Sequence, residues 1–208
     1  PILRGRDVCR YGYEWANLWI INTHNGIKGD LERIHIEDYP AIKQHLDKYW
    51  DKIEPRADQG DTAYNLRNCA YLDEFSKPKI IYPNMTKFLP FVYDRSGVMT
   101  NQKCFIITGT HLEYLTAFFN SSLFKFCFAD RFPELQGKTR ELSKIFMDEI
   151  SILKINDTDE CMINKLVQDI QMEYSVNKAK RIDKFIFDLY HLSIEEQMYI
   201  GFIDYGEK

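Results

Sequence analysis

Apolar positions along the chain repeat at two different periods, and the period changes part-way through. Leu18, Trp19, Ile20 and Ile21 form a short unbroken run, which predicts a strand over Trp15–Asn22. Asn25-Gly26 then reads as a turn. Asp38 is a plausible N-cap, with Pro40 in the first turn of a helix that carries Ile42, Leu46, Tyr49, Trp50 and Ile53 and stops at Pro55. A polar stretch without period follows to Cys69. Lys79–Tyr82, Phe88–Asp94 and Lys103–Thr108 are three more predicted strands, with Ser96-Gly97 turning between the last two. Leu112, Leu115, Phe119 and Leu123 lie on one helical stripe, and Phe146–Ile155 reads as a closing strand.

Beyond that point only the helical period remains. Ile163, Leu166, Val167 and Ile170 fit i, i+3, i+4, i+7, and Ile182, Phe185, Ile186, Leu189 and Tyr190 repeat the pattern. Ser193 and Glu196 have the spacing of a capping box for a last short helix. The prediction is an α+β fold: a mixed β-sheet with packed helices over residues 1–155, then a helical extension over residues 156–208. No repeat or low-complexity tract occurs.

Composition supports a packed core. Of 208 residues, 45% are hydrophobic and 14% aromatic, unlike a disordered chain. The net charge of −4 does not suggest a nucleic-acid binder, but it is unevenly spread. Residues 55–145 hold 12 Lys/Arg against 9 Asp/Glu, and residues 151–208 hold 7 against 11. The middle of the chain is thus the part suited to face phosphates. Five well-separated cysteines, with no CxxC pair, argue against a disulfide framework and a zinc knuckle, and fit reduced thiols. With no signal-like start and no apolar run of about 20 residues, a cytoplasmic location is expected. The missing initiator Met suggests a piece of a longer protein.

Motifs for bond chemistry are scarce. His111-Leu112-Glu113 matches the HxE of zinc deaminases, but no PCxxC accompanies it. GxSxG, GxxxxGK[ST] and GxGxxG are all missing. Asp73, Glu74 and Lys77, and likewise Glu134 and Lys138, are close in sequence but lack the order of a metal-dependent nuclease. No catalytic residue, metal site or cofactor is therefore assigned to this chain.

The polar loops carry binding chemistry instead. Arg bridges the two major-groove acceptors of guanine, Asn and Gln pair bidentately with adenine, and basic side chains hold phosphate. The base-reading candidates are Arg67, Asn68, Arg95, Asn101, Gln102 and Gln136. The phosphate candidates are Arg4, Arg6, Arg56, Lys87, Lys103, Lys138 and Arg140. Arg4 and Arg6 could instead pair with Asp7 or with a domain missing from this chain.

Four segments, in order, carry a family resemblance. They are Pro1-Ile2-Leu3-Arg4-Gly5-Arg6-Asp7-Val8, Tyr39-Pro40-Ala41-Ile42-Lys43, Phe75-Ser76-Lys77-Pro78-Lys79-Ile80-Ile81-Tyr82-Pro83, and Leu115-Thr116-Ala117-Phe118-Phe119-Asn120-Ser121-Ser122. Together they resemble the TaqI-like C-terminal specificity domain of type IIG restriction–modification enzymes and related adenine-specific DNA methyltransferases, over roughly residues 1–155. The tail Ile182–Gln197 resembles the helical end of the same enzymes. The resemblance implies a module that recognises duplex DNA. It also implies a methyltransferase domain upstream, with an Asn-Pro-Pro-Tyr motif and S-adenosylmethionine, and in some members a nuclease domain with a divalent metal. The partners implied are double-stranded DNA and that methyltransferase domain, with no membrane. The family's base-reading residues vary with the target site, so none transfers by motif. Two alternatives stand beside this: a protein–protein interaction module built on the C-terminal amphipathic helices, and an unmarked free-standing hydrolase.

Overall fold

The computed structural model describes residues 1–87, 89–128 and 131–203; the side chains of Phe128 and Lys138 lie outside that description. It is a mixed α and β fold with two compact units, one formed by residues 1–18 and 76–208 and the other by residues 19–75.

The larger unit opens with β1 (Ile2–Leu3), a 3-10 turn over Gly5–Asp7, and a small hairpin of β2 (Val8–Cys9) and β3 (Gly12–Tyr13). The chain re-enters this unit at β4 (Lys79–Pro83), β5 (Met85–Thr86), β6 (Val92–Asp94), β7 (Met99–Thr100) and β8 (Cys104–Thr108). β4 lies between β6 and β8, antiparallel to both, with Ile80 opposite Tyr93 and Ile107. Every residue of β4 is buried, which explains its apolar run Ile80-Ile81-Tyr82. The strand's period of two sends Ile80 and Tyr82 into the larger core, and Ile81 into a second cluster with Leu3, Val8, Val92, Val98 and Cys104. Lys79 is fully buried too. Asp94 stands across from it on β6, and the ammonium reaches that carboxylate at 2.6 Å.

Helices cover the other side. α3 (Leu112–Phe119) and α4 (Ser122–Phe128) are split by Asn120, where one continuous stripe was expected. The Asn120 amide turns back to Phe91, the residue before β6: Oδ1 accepts the Phe91 N–H at 3.0 Å and Nδ2 donates to the Phe91 carbonyl at 2.7 Å. Ser121 Oγ then accepts the Phe124 N–H at 3.1 Å and starts the next helix. Phe91, Phe118, Phe119, Phe124 and Phe132 pack around this junction. A three-stranded sheet places β10 (Thr139–Glu141) between β5 and β9 (Glu134–Leu135).

The closing strand expected over Phe146–Ile155 does not form. A single helical turn, α5 (Lys144–Met147), leads into irregular chain. Tyrosine hydroxyls take backbone groups that a partner strand would have used. Tyr114 donates to the Leu153 carbonyl at 2.9 Å, and Tyr190 accepts the Leu153 N–H at 3.1 Å.

α6 (Asp157–Met172), α7 (Val176–Leu189) and α8 (Ile194–Ile200) complete the chain. Ile163, Val167 and Ile170 of α6, and Ile182 and Ile186 of α7, are fully buried in the same cluster as Ile80 and Phe91. Residue 156 therefore marks a change of element type within one core. Ser193 and Glu196 form the expected reciprocal cap of α8. Among the described residues no helix is long and apolar enough to cross a membrane.

The unit over residues 19–75 is loops around α1 (Pro40–Asp47) and α2 (Trp50–Ile53), with Asp38 in a 3-10 turn just before α1. Its polar side chains substitute for a sheet. Buried Asn65 donates to the carbonyls of His24 and Ile34 and accepts from Thr62. Asn25 ties Asp61 and Asn68 together. The strand expected over Trp15–Asn22 is not present. Trp19 is 69% exposed and the segment runs as irregular chain, meeting β1, among the described residues, through a single backbone bond from the Ile2 N–H to the Leu18 carbonyl at 3.0 Å.

Candidate nucleic-acid interface

The parallel pairing of β1 with β7 sets the geometry of the larger unit's polar face. Ile2 lies beside Met99 and Leu3 beside Thr100, and the Asn101 N–H continues the ladder to the Leu3 carbonyl at 2.9 Å. The next residues of each segment are thereby brought together: the Arg4–Asp7 turn on one side and the Asn101–Lys103 loop on the other. The turn lies close against the start of β8. A Cβ on Gly5 would stand 2.9 Å from the Lys103 carbonyl oxygen, so a larger residue would push the two segments apart.

Between them opens a groove of about 560 Å³. Arg4, Arg6, Lys87 and Lys103 line it with Asn101, and Pro83, Met85, Thr86 and Pro90 supply its walls. No carboxylate is among the lining residues. Arg6, Lys87 and Lys103 are exposed. Asn101 accepts the Lys103 N–H through Oδ1 at 3.1 Å, and its Nδ2 has no hydrogen-bond partner among the described residues. The Arg4 guanidinium is turned to Asp7, with contacts of 2.7 to 3.2 Å. Hydrogen bonds from Arg4, opposed by burial but reinforced by the charges of Arg4 and Arg6, hold the Asp7 carboxyl below its ordinary range.

Five of the thirteen candidates named from sequence thus meet at one groove. Gln102 is exposed on the same loop, next to Asn101 and Lys103. Arg140 sits opposite Thr86 in the β10–β5 pair, and its guanidinium bonds the Phe132 carbonyl at 2.9 Å and Glu134. Gln136 is exposed at the β9–β10 turn, while the Lys138 side chain lies outside the described residues.

The remaining candidates are elsewhere. Arg95 lies 4.9 Å over the Tyr93 ring, and its hydrogen bonds to the Tyr93 hydroxyl, at 2.9 Å, and to Glu113 raise its pKa. Arg56 belongs to the unit over residues 19–75, where it donates to the carbonyls of Ile53, Ala63 and Asn65. That is a loop clasp, with the guanidinium engaged by backbone. Arg67 is exposed in the same unit. Asn68 lines a separate cavity of about 850 Å³ with Asn25, Lys28, Arg33 and the acids Asp30, Glu32 and Asp61. Lys28 was not singled out from sequence, nor were Thr86 and Met85. No local pattern marks them, and Met85 and Thr86 become wall residues only beside Arg4, Arg6 and Lys103, which are distant in sequence.

The groove is suited to binding an anionic backbone. Three exposed cations in a concave, carboxylate-free site raise the local positive potential although the chain as a whole is acidic. Among the described residues no group of three or more His, Cys, Asp and Glu side chains is placed to hold a metal ion. The sequence profile of the TaqI-like C-terminal specificity domain matches residues 1–152. No curated protein matches the chain.

Proposed function

Because the chain belongs to the TaqI-like C-terminal specificity domain family, a DNA-specificity module of restriction–modification enzymes, we propose that it reads duplex DNA for a methyltransferase domain of the same parent protein. The observation that carries this reading is the groove with Arg6, Lys87 and Lys103 at its mouth and no carboxylate in its lining. In this proposal the three cations hold phosphates, and Asn101 and Gln102, on the loop beside them, meet base edges. Adenine methylation, with S-adenosylmethionine, and DNA cleavage with a divalent metal where the parent cuts, belong to other domains. The residues 1–155 part is the reader, and the 156–208 helices back its core.

Binding of a fluorescent duplex to this chain, followed by anisotropy across a salt series, tests the reading. Three phosphate contacts give a slope of about −2.7 for log K against log salt, at roughly 0.9 per contact. Lys87→Ala and Lys103→Ala should each flatten it by about 0.9. Lack of binding at low salt, or a slope near zero, would refute the groove as a phosphate site.

A second reading has one observation in its favour. α6 and α7 bury their apolar faces in the chain's own core, but α8 leaves Ile194, Met198 and Tyr199 at least 75% exposed. Such a face suits contact with another protein surface. It is compatible with the DNA-reading role and would show as self-association or domain binding abolished by Met198→Glu.

A further inference from the structure

The Arg4–Asp7 turn places two guanidinium groups beside the groove but engages them differently. Asp7 holds Arg4 through both carboxylate oxygens. Arg4 Nε lies 3.2 Å from Oδ1 and 3.0 Å from Oδ2, and Nη2 lies 2.7 Å from Oδ1. Oδ2 also accepts the Arg4 backbone N–H at 2.8 Å, and the Asp7 N–H returns to the Arg4 carbonyl at 2.9 Å. The turn is therefore closed on itself by one side-chain pair. The Asp7 side chain is 4% exposed, so a guanidinium that left it for a phosphate would strand a buried carboxylate. Arg6 has no hydrogen bond or ion pair with another described residue, and it is exposed. Gly5, between them, rests against the Lys103 carbonyl and Pro83.

Resting on the DNA-binding reading of this groove, we propose that Arg4 is a positioning residue and Arg6 the phosphate ligand of the turn. The Arg4–Asp7 pair acts as an internal brace. It fixes the turn against β8 so that Arg6 is held out beside Lys103 and Lys87. This separates two arginines that the sequence presents as equivalent. The bidentate fork is what the brace requires, and a lysine cannot reproduce it.

The measurement is the salt slope of duplex-DNA binding by the whole chain, with far-UV circular dichroism to show that each variant is folded. Arg6→Ala should lose about 0.9 of slope, the share of one phosphate. Asp7→Asn is the discriminating variant, because it removes the brace while leaving every cation in place. It should lose the same single unit of slope as Arg6→Ala, and the Asp7→Asn/Arg6→Ala double variant should lose no more. Arg4→Lys should behave like Asp7→Asn although its charge is unchanged. The proposal is overturned if Asp7→Asn leaves the slope unchanged or steeper, or if Arg4→Lys restores wild-type binding. It is overturned equally if Arg4→Ala and Arg6→Ala add to a loss of about two units, since Arg4 is then a ligand itself. A wild-type chain that fails to bind at low salt overturns the groove reading, and this inference with it, before any variant is compared.

Discussion

Removing the Asn120 side chain should unfasten the helices from the sheet. Asn120 is 1% exposed and makes three side-chain hydrogen bonds, two to Phe91 and one to the Thr116 carbonyl at 2.9 Å. The three partners are not equal. In Asn120→Ala the Phe91 carbonyl keeps the Tyr11 N–H at 3.0 Å, and the Thr116 carbonyl keeps the Asn120 N–H at 3.2 Å. The Phe91 N–H alone is left buried and unsatisfied, at about 1–3 kcal/mol. With the two acceptor bonds weakened, the total loss should be about 2–4 kcal/mol. Asn120→Asp keeps the shape and the acceptor but sets a carboxylate oxygen against two carbonyls. It should cost more than alanine at pH 7. Burial favours its neutral form, and the protonated carboxyl can donate again, so this variant should recover as the pH falls. Urea unfolding gives the global loss, and hydrogen exchange of the Phe91 amide gives the local one. A loss below about 1 kcal/mol with the Phe91 amide still protected, or Asn120→Asp equal to wild type at pH 7, would refute the reasoning.

Three more outcomes are expected. Gly60→Ala should loosen the unit over residues 19–75, because its Cβ would meet Asn25 Oδ1 at 2.5 Å and the Leu66 carbonyl at 2.6 Å. A cost of about 1–3 kcal/mol should show as faster proteolysis within residues 19–75, and unchanged cleavage would count against the loop clasp. Asp7 has a depressed folded pKa, so its stabilising contribution is complete above the ordinary carboxylate range and is lost as pH falls through the folded value. Acid titration of wild type against Asp7→Asn should converge below about pH 4, and curves that stay parallel would contradict the sign. Burial pushes the Cys104 thiol up to about 12. Iodoacetamide at pH 8 should therefore modify exposed Cys161 long before Cys104, with Cys104 reacting only on unfolding; equal rates would refute this.

Several elements were legible in the sequence because their causes are local. The β4 strand follows from an apolar run bounded by prolines, α6 and α7 from a 3.6-residue stripe, and the α8 cap from Ser193 and Glu196. Where the chain misled, a distant group had intervened. Asn120 looks like an ordinary helical position until Phe91 is placed beside it. Residues 146–155 look like a strand until Tyr114 and Tyr190 take the Leu153 backbone groups. Trp15–Asn22 has strand composition but, among the described residues, meets β1 through only one backbone bond, to the Leu18 carbonyl.

For the interface, residue type could be read directly and partnership could not. Arg4 and Arg6 are two residues apart and chemically identical, so sequence gives them one role. Tertiary structure separates them, because Arg4 is the one hydrogen-bonded to the Asp7 carboxylate. Likewise Lys87 and Lys103 are ordinary loop lysines until the fold brings them to one groove with the first residues of the chain. The sequence by itself determined an α+β chain with abundant core, binding-type polar loops and an ordered set of family segments. Only the tertiary structure decided which cations share a groove and which are already engaged. The physical reason is that period and composition act over a few residues, whereas a charge is made available or consumed by groups tens of residues away.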